Sequence, residues 1–226
     1  MRLRDKVIIV TGSTSGIGRA IAERAVVEGA RVLIHGIDRA AGEKVVAGLG
    51  TSAALHLDDV SDPAAAARIV AAAVAAFGRV DAVVNNAALV ARSTLATTSA
   101  ENFDRMMAIN VRAPLLLIQA ALAQLQQHRG CVLNIGSINA LSGEATLLDY
   151  SISKGALQTL TAYRSLLEGT TSEDLRRGTS EMLQAIASHR VGDRPNRYEP
   201  RAIKRRPKPH DLLTVPRDEA KRRLAA

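Results

Sequence analysis

An α/β protein built on a doubly wound parallel sheet is what this 226-residue chain predicts, on three observations. Short apolar runs rich in β-branched residues alternate with stretches of helical period. A glycine-rich turn joins the first run to the first helix. Polar residues suited to ligand chemistry recur where the runs end. Such alternation implies parallel strands with crossover helices on both faces. In sheets of this kind a ligand sits beyond the carboxyl ends of the strands.

Taken in order, Val7-Ile8-Ile9-Val10 is too short for a helix and reads as a buried strand. Thr11-Gly12-Ser13-Thr14-Ser15-Gly16-Ile17-Gly18 follows at once, and Arg19 to Glu28 has helical period. Strand, glycine turn and helix form the context in which such a motif reads as dinucleotide-binding rather than as an ordinary βα turn. Gly12 permits the turn, Gly16 lets backbone approach a pyrophosphate, and Gly18 lets the helix pack close. The helix start then offers N–H groups to the anion. Arg31 to His35 reads as a strand, Arg39 to Ala47 as a helix and Ala53 to Leu57 as a strand. Asp62 is expected to cap a helix with Pro63 at its first position, running to about Phe77. A short strand, Ala82-Val83-Val84, ends in Asn85-Asn86-Ala87-Ala88. Helices are expected from Ala100 to Asn110 and from Ala113 to Gln127, then a strand from Cys131 to Ile135. Gly12, Asp59, Asn86 and Ser137 all fall at strand ends.

Tyr150 and Lys154 carry the chemistry. Four residues apart, they share a face of a helix. An ammonium beside a phenol favours the phenolate, which lowers a tyrosine pKa from about 10 toward the range of a general acid and base. Ser137 lies thirteen residues before Tyr150 and adds a hydroxyl. Singly, each residue has a plainer reading: Ser137 as the cap of a strand, Asn110 as a helix end, Asp59 as a cap, Asn86 as a turn former. One bound cofactor accounts for all of them together.

The set Thr11-Gly12-x-x-x-Gly16-Ile17-Gly18, Asp59-Val60, Asn85-Asn86-Ala87, Asn110-Val111, Ser137 and Tyr150-x-x-x-Lys154 resembles the short-chain dehydrogenase/reductase family, of the 3-oxoacyl reductase-like type, over residues 1–163. The resemblance implies a Rossmann-like domain and an NAD(P)-dependent oxidoreductase acting on a carbonyl or secondary alcohol. It makes Tyr150 the proton donor or acceptor and Ser137 the hydrogen-bond partner of the substrate oxygen. Lys154 would tune the tyrosine and hold the nicotinamide ribose, and Asn110 would fix a helix kink and a water in the proton relay. Residues Gly12, Ser13, Thr14, Ser15, Gly16, Ile17 and Gly18 would cradle the cofactor. Asp59 and Val60 would meet its adenine, and Asn86 its adenosine ribose. No metal is expected. The turn His35-Gly36-Ile37-Asp38-Arg39 puts glycine where an NAD-preferring relative carries an acid. Arg39 or His35 could reach a 2′-phosphate, with Asp38 working against it, so the cofactor reads as NADP, with NAD the alternative. Ala88 replaces the glycine usual in the family after Asn-Asn-Ala, which would crowd the nicotinamide side.

Composition bounds the partners. Hydrophobic residues make up 47% of the chain and aromatics 2%, so the core is aliphatic. A single cysteine, Cys131, excludes an internal disulfide and suits a reducing, cytoplasmic setting. No uncharged apolar stretch reaches the ~18 residues needed to span a bilayer, and the start runs directly into the first strand, without the pattern of a signal peptide. The net charge of +8 is uneven. Residues 1–163 carry 15 Lys and Arg against 13 Asp and Glu, whereas residues 164–226 carry 15 against 9. Five of the seven prolines lie between Pro195 and Pro216, and 201–210 has no regular period, so it reads as an extended solvated stretch.

The family resemblance implies two further strands, a Pro-Gly turn and a substrate lid after Lys154, and none is legible. Residues from about 180 to 226 instead resemble the C-terminal tail of a DDE-type insertion-sequence transposase, without its catalytic acids. The expectation is a two-part chain: an NAD(P)-binding domain over 1–163, incomplete at its C-terminal side, and a foreign basic tail over 164–226. The Cys131–Ile135 strand would then stand at an exposed edge. A homo-oligomer through the helices 113–127 and 150–167 would cover part of the loss. A non-catalytic nucleotide-binding remnant is the alternative function. Nucleic-acid binding through the tail ranks lower, because 201–210 has no aromatic to stack a base.

Overall fold

The computed structural model describes residues 1–162. Tyr163 and the basic tail 164–226 lie outside the described residues, and so do the expected missing strands and lid and the transposase-like segment.

Five parallel strands form one sheet in the order β3-β2-β1-β4-β5. They are β1 Val7–Val10, β2 Arg31–Gly36, β3 Ala53–Leu57, β4 Ala82–Asn85 and β5 Cys131–Asn134. The crossover helices are α1 Gly16–Val27, α2 Arg39–Leu49, α3 Ala65–Phe77, α4 Ala100–Met107 and α5 Ala113–Gln127. A short α6, Asn139–Ser142, precedes α7, Leu148–Ala162. This is the expected doubly wound, Rossmann-like sheet.

Alternation along the strands sorts side chains to two cores. Ile8, Val10, Val32, Ile34 and Val84 face α1 and α2, where Ile21, Ala22, Ala25 and Val45 meet them. Ile9, Leu33 and Val83 face the other way, onto Ile69, Val70 and Ala73 of α3 and Leu117, Ala121 and Leu125 of α5. Because both faces are covered, β1 is buried at every position, which is why it reads as an unbroken apolar run. The amino ends of the strands carry an ionic anchor. Asp81, 4% exposed, accepts from the Val7 N–H at 3.0 Å, from Lys6 at 3.2 Å and from Arg79 at 2.6 Å. Charge there holds the scaffold, away from the ligand end.

Two expectations need correction. Asp62 does accept from the Ala64 N–H at 3.0 Å, but that closes a turn, and α3 begins at Ala65 rather than at Pro63. The helices expected at 100–110 and 113–127 are one helical run, joined by a π-helical turn over Ala108–Arg112. Pro114 explains it: its missing N–H and its ring deny the Asn110 carbonyl its normal partner four residues on, so the register widens. The run Ala100–Gln127 is also long and apolar enough to cross a membrane by length and composition. Here its apolar side chains at Leu117, Ala121 and Leu125 pack into the core against the sheet, and Ile118 is also buried. Among the described residues β5 pairs on one side only, with β4.

Candidate active site

The glycine loop leaves β1 at Thr11. Gly12 has φ +62°, and a Cβ there would lie 3.0 Å from the Ala87 Cα, so both conformation and space select glycine. At Gly18 a Cβ would come within 2.4 Å of the Gly12 carbonyl oxygen, which sets how closely α1 approaches the strand end. Ser15 stands at the N-cap with no side-chain cap bond, and the first turn of α1 has no acidic residue. The positive helix end is thus uncompensated by the protein, which suits an anion such as a pyrophosphate. Ile17 is 65% exposed at the same place.

Two residues expected to touch the cofactor, Ser13 and Asn86, bond the backbone around the loop. Ser13 is fully buried: its hydroxyl donates to the Val10 carbonyl at 2.7 Å and accepts from the His35 N–H at 2.9 Å. Its own N–H donates to the His35 carbonyl at 2.8 Å. Asn86 donates through its amide nitrogen to the Thr11 and Gly12 carbonyls at 2.9 and 3.1 Å, which ties its side chain to the loop. Thr11, unremarked in the sequence as a hub, accepts the N–H groups of Asn86 and Ala87 at 3.0 Å each. Through it the ends of β1 and β4 are one unit.

At the end of β2, Thr14 packs over Gly36, where a Cβ would lie 2.6 Å from the threonine Cγ2. An acidic side chain at Gly36 would have to displace Thr14. Asp38 is the N-cap of α2, accepting from the Ala41 N–H at 3.0 Å, and Arg39 reaches Glu43 at 3.4 Å across exposed surface. Asp38 is therefore committed to its helix. Beyond β3, Asp59 is exposed and accepts from the Ser61 N–H at 2.8 Å. Its neighbour Asp58 is gripped by both guanidinium arms of Arg68 at 2.7 Å, which hold its carboxyl down to about 2. A small cleft walled by Thr11, Val60, Ala66, Ala87, Ile109 and Ala113 opens beside the ends of β1, β3 and β4.

His35 was not expected to be buried. It is 2% exposed and stacks on His56 with ring centroids 6.3 Å apart. Its Nδ1 lies 3.4 Å from the Gly12 nitrogen, which makes it an acceptor for the loop. Burial first, and the neighbouring His56 second, push its pKa down to about 4. A neutral, buried ring cannot reach out to a 2′-phosphate, which corrects that expectation.

The second half of the site is carried by α7. Lys154, 3% exposed, donates to the Ile135 carbonyl at 2.6 Å, just past β5. Burial lowers its pKa from the ordinary lysine value. Its Nζ lies 5.7 Å from the centroid of the Tyr150 ring, so the i and i+4 residues do share a face. Ser137 is half-buried two residues beyond Ile135, and its hydroxyl accepts from the Asn139 N–H at 3.2 Å. Asn110, 1% exposed, is bound to the Leu89 main chain at both ends: Oδ1 accepts from its N–H at 2.7 Å and Nδ2 donates to its carbonyl at 2.9 Å. Nδ2 also donates to the Ser153 hydroxyl at 3.0 Å, and that hydroxyl donates to the Tyr150 carbonyl at 2.7 Å. The π turn therefore presents Asn110 as a joint between the loop after β4 and α7.

Fold and site together define a dinucleotide-binding α/β domain of the Rossmann-like type. A family profile described as short chain dehydrogenase matches residues 6–168, and the chain belongs to that family. It is 38% identical over 164 residues to 2-(S)-hydroxypropyl-CoM dehydrogenase 3 of Xanthobacter autotrophicus, covering 71% of this chain and 64% of that protein. The chain spans 64–65% of the length of several such relatives. A blue fluorescent protein from a metagenomic library, solved in complex with NADPH, superposes with a TM-score of 0.68 at 34% identity, covering 74% of this chain and 70% of the other. A 3-ketoacyl-(acyl-carrier-protein) reductase from Brucella melitensis, complexed with NADH, also gives 0.68, at 31% identity and 70% and 68% coverage.

Proposed function

We propose that this protein is an NAD(P)-dependent oxidoreductase that interconverts a carbonyl and a secondary alcohol, with Tyr150 as the general acid and base. The observation that carries the reading is the buried Lys154, fixed by the Ile135 carbonyl beside Ser137 and set 5.7 Å from the Tyr150 ring. An ammonium withdrawn from water is costly, and groups held at such a cost gather at functional sites. When bound, the nicotinamide cofactor supplies or takes up the hydride. Gly12, Thr14, Ser15, Gly16, Ile17 and Gly18 would hold its pyrophosphate at the start of α1. Val60, with Asp59 beside it, would bound its adenine in the adjacent cleft, and Lys154 would hold its nicotinamide ribose.

In reduction, the Tyr150 hydroxyl gives its proton to the substrate oxygen while Ser137 donates a hydrogen bond to the same oxygen and fixes its direction. In oxidation Tyr150 takes the proton back. Lys154 stabilises the deprotonated phenol between these events, and Asn110 keeps the loop and α7 in register beside the proton path. NADP(H) is the favoured cofactor: Gly36 carries no carboxylate, Thr14 fills the space beside it, and Asp38 is occupied at its cap. Arg39 stands at the exposed start of α2, able to leave its weak pairing with Glu43 for a 2′-phosphate.

The Tyr150→Phe variant tests the mechanism. It keeps the ring and loses the proton, so turnover should fall by a factor of about 10²–10⁴ with cofactor affinity retained. Turnover that survives the change would refute the role of Tyr150. Cofactor binding without turnover in the unsubstituted chain would favour a nucleotide-binding remnant.

A further inference from the structure

The helix that carries Tyr150 is capped by a residue more than fifty positions away. Ser93, in the loop after β4, accepts the Leu148 N–H at 3.1 Å with its carbonyl and the Asp149 N–H at 3.0 Å with its hydroxyl. Its own N–H donates to the Thr146 carbonyl at 3.0 Å. A helix start leaves its first N–H groups without partners, and the residue just before the helix normally supplies the acceptor side chain. Here that residue is Leu147, which has none. Asp149 sits in the first turn, where a carboxylate favours the helix dipole. It is 2% exposed, and both its oxygens lie 2.6–2.7 Å from the Thr98 hydroxyl. The loop that offers these groups is itself closed by the Thr98 N–H donating to the Thr94 carbonyl at 2.9 Å.

We propose that Ser93 is a detached N-cap for α7, and that Asp149 is a positioning residue whose grip by the Thr98 hydroxyl sets the place of Tyr150. The proposal rests on the catalytic role given to Tyr150 above. Lys154 is tied to the far side of the site, through Ile135 after β5. Tyr150 follows the clamped residue directly. Loosening the clamp therefore moves the phenol relative to the ammonium. Ser93, Thr98 and Asp149 make none of the bonds that hold residues 11–18, so the nucleotide end of the site is left alone. A general structural role would weaken both ends together, and that difference makes the proposal testable.

The full chain carries the test, with NADPH as cofactor, diacetyl as carbonyl probe, and amide exchange read at residues 149–151 and in α1. Thr98→Val should lower kcat about a hundredfold, as expected for a misplacement near 1 Å, and leave the NADPH dissociation constant within about twofold. Thr98→Ser, which keeps the hydroxyl, should recover most of the loss. Exchange at residues 149–151 should speed up about tenfold in Thr98→Val and in the milder Ser93→Ala, with α1 unchanged. An unaltered kcat in Thr98→Val, a parallel fall in NADPH affinity, or unaltered exchange would overturn the proposal. If the unsubstituted chain fails to reduce diacetyl, that failure counts against the oxidoreductase reading for this probe. Exchange at residues 149–151 in the same variants then decides the clamp by itself, and Ser93→Ala does so if Thr98→Val fails to fold.

Discussion

Single side chains in this site divide by what they face. Lys154 is buried and bonded to one carbonyl, so its charge costs stability, and under the proposed mechanism that cost serves the phenol of Tyr150. Lys154→Met should abolish turnover by about 10² or more without lowering the melting temperature, since an apolar chain of similar length fills the same space. Steady-state kinetics and a melting scan check the two halves, and a large loss of stability would contradict the account. Gly18→Ala is the converse case. Its Cβ would strike the Gly12 carbonyl and the Asn86 amide, each at 2.4 Å, so it should cost about 1–3 kcal/mol and weaken cofactor binding together. Denaturant midpoints with and without NADPH measure both. At this scale the pairing of Tyr150 with Lys154 and the glycines of the loop were legible in sequence, because spacing alone places them. Ser13 and Asn86 were not, because a polar residue at a strand end reads alike whether it turns to a ligand or to its own backbone. Nor was Asp149, whose partner Thr98 is remote in sequence and close only in the fold.

Among the elements, the π turn is where local chemistry overrides helical period. Pro114 removes the N–H that would close the normal bond to Asn110, and the widened turn lies where Asn110 meets Leu89 and Ser153. Asn110→Leu would leave the half-buried Leu89 N–H and carbonyl without these partners, at about 1 kcal/mol each. The expected result is a clear drop in stability and faster exchange of the Leu89 amide, read by hydrogen exchange; unchanged exchange would refute the joint. Strands and crossover helices were legible to within a few residues, since apolar runs and helical period are local signals. The joining of α4 to α5 was missed because Asn110-Val111-Arg112 read as a break between two helices. The short α6 has four residues and no periodicity to read. Helix α7 began earlier than the Tyr-Lys pair suggested because its cap comes from Ser93.

Across the whole molecule, one buried histidine links the sheet to its pH response. His35 is held down to about 4, against about 6.5 for a histidine in an unfolded chain. Between those values the unfolded chain binds the extra proton, so stability rises with pH. The contribution of His35 is complete above about pH 6.5 and is lost as pH falls toward 4, by about 3 kcal/mol in all. Denaturant titrations at pH 7 and pH 4.5 should show a steeper loss for the unsubstituted chain than for His35→Asn; equal losses would remove His35 from the explanation. The protonated ring would also turn a donor toward the Gly12 N–H, so the same fall in pH should loosen the nucleotide loop. The parallel, doubly wound sheet and the family were legible over residues 1–163 because strands alternate with helices and the motifs follow one another in chain order. The measurement that bears most directly on the central claim is a melting scan of the full chain alone, with NADPH and with NADH. At about 100 times its dissociation constant, NADPH should stabilise the folded state by about 2.7 kcal/mol and NADH, at the same concentration, by less. A cooperative transition that neither dinucleotide raises would contradict the account, because the loop from Thr11 to Gly18 would then hold no cofactor.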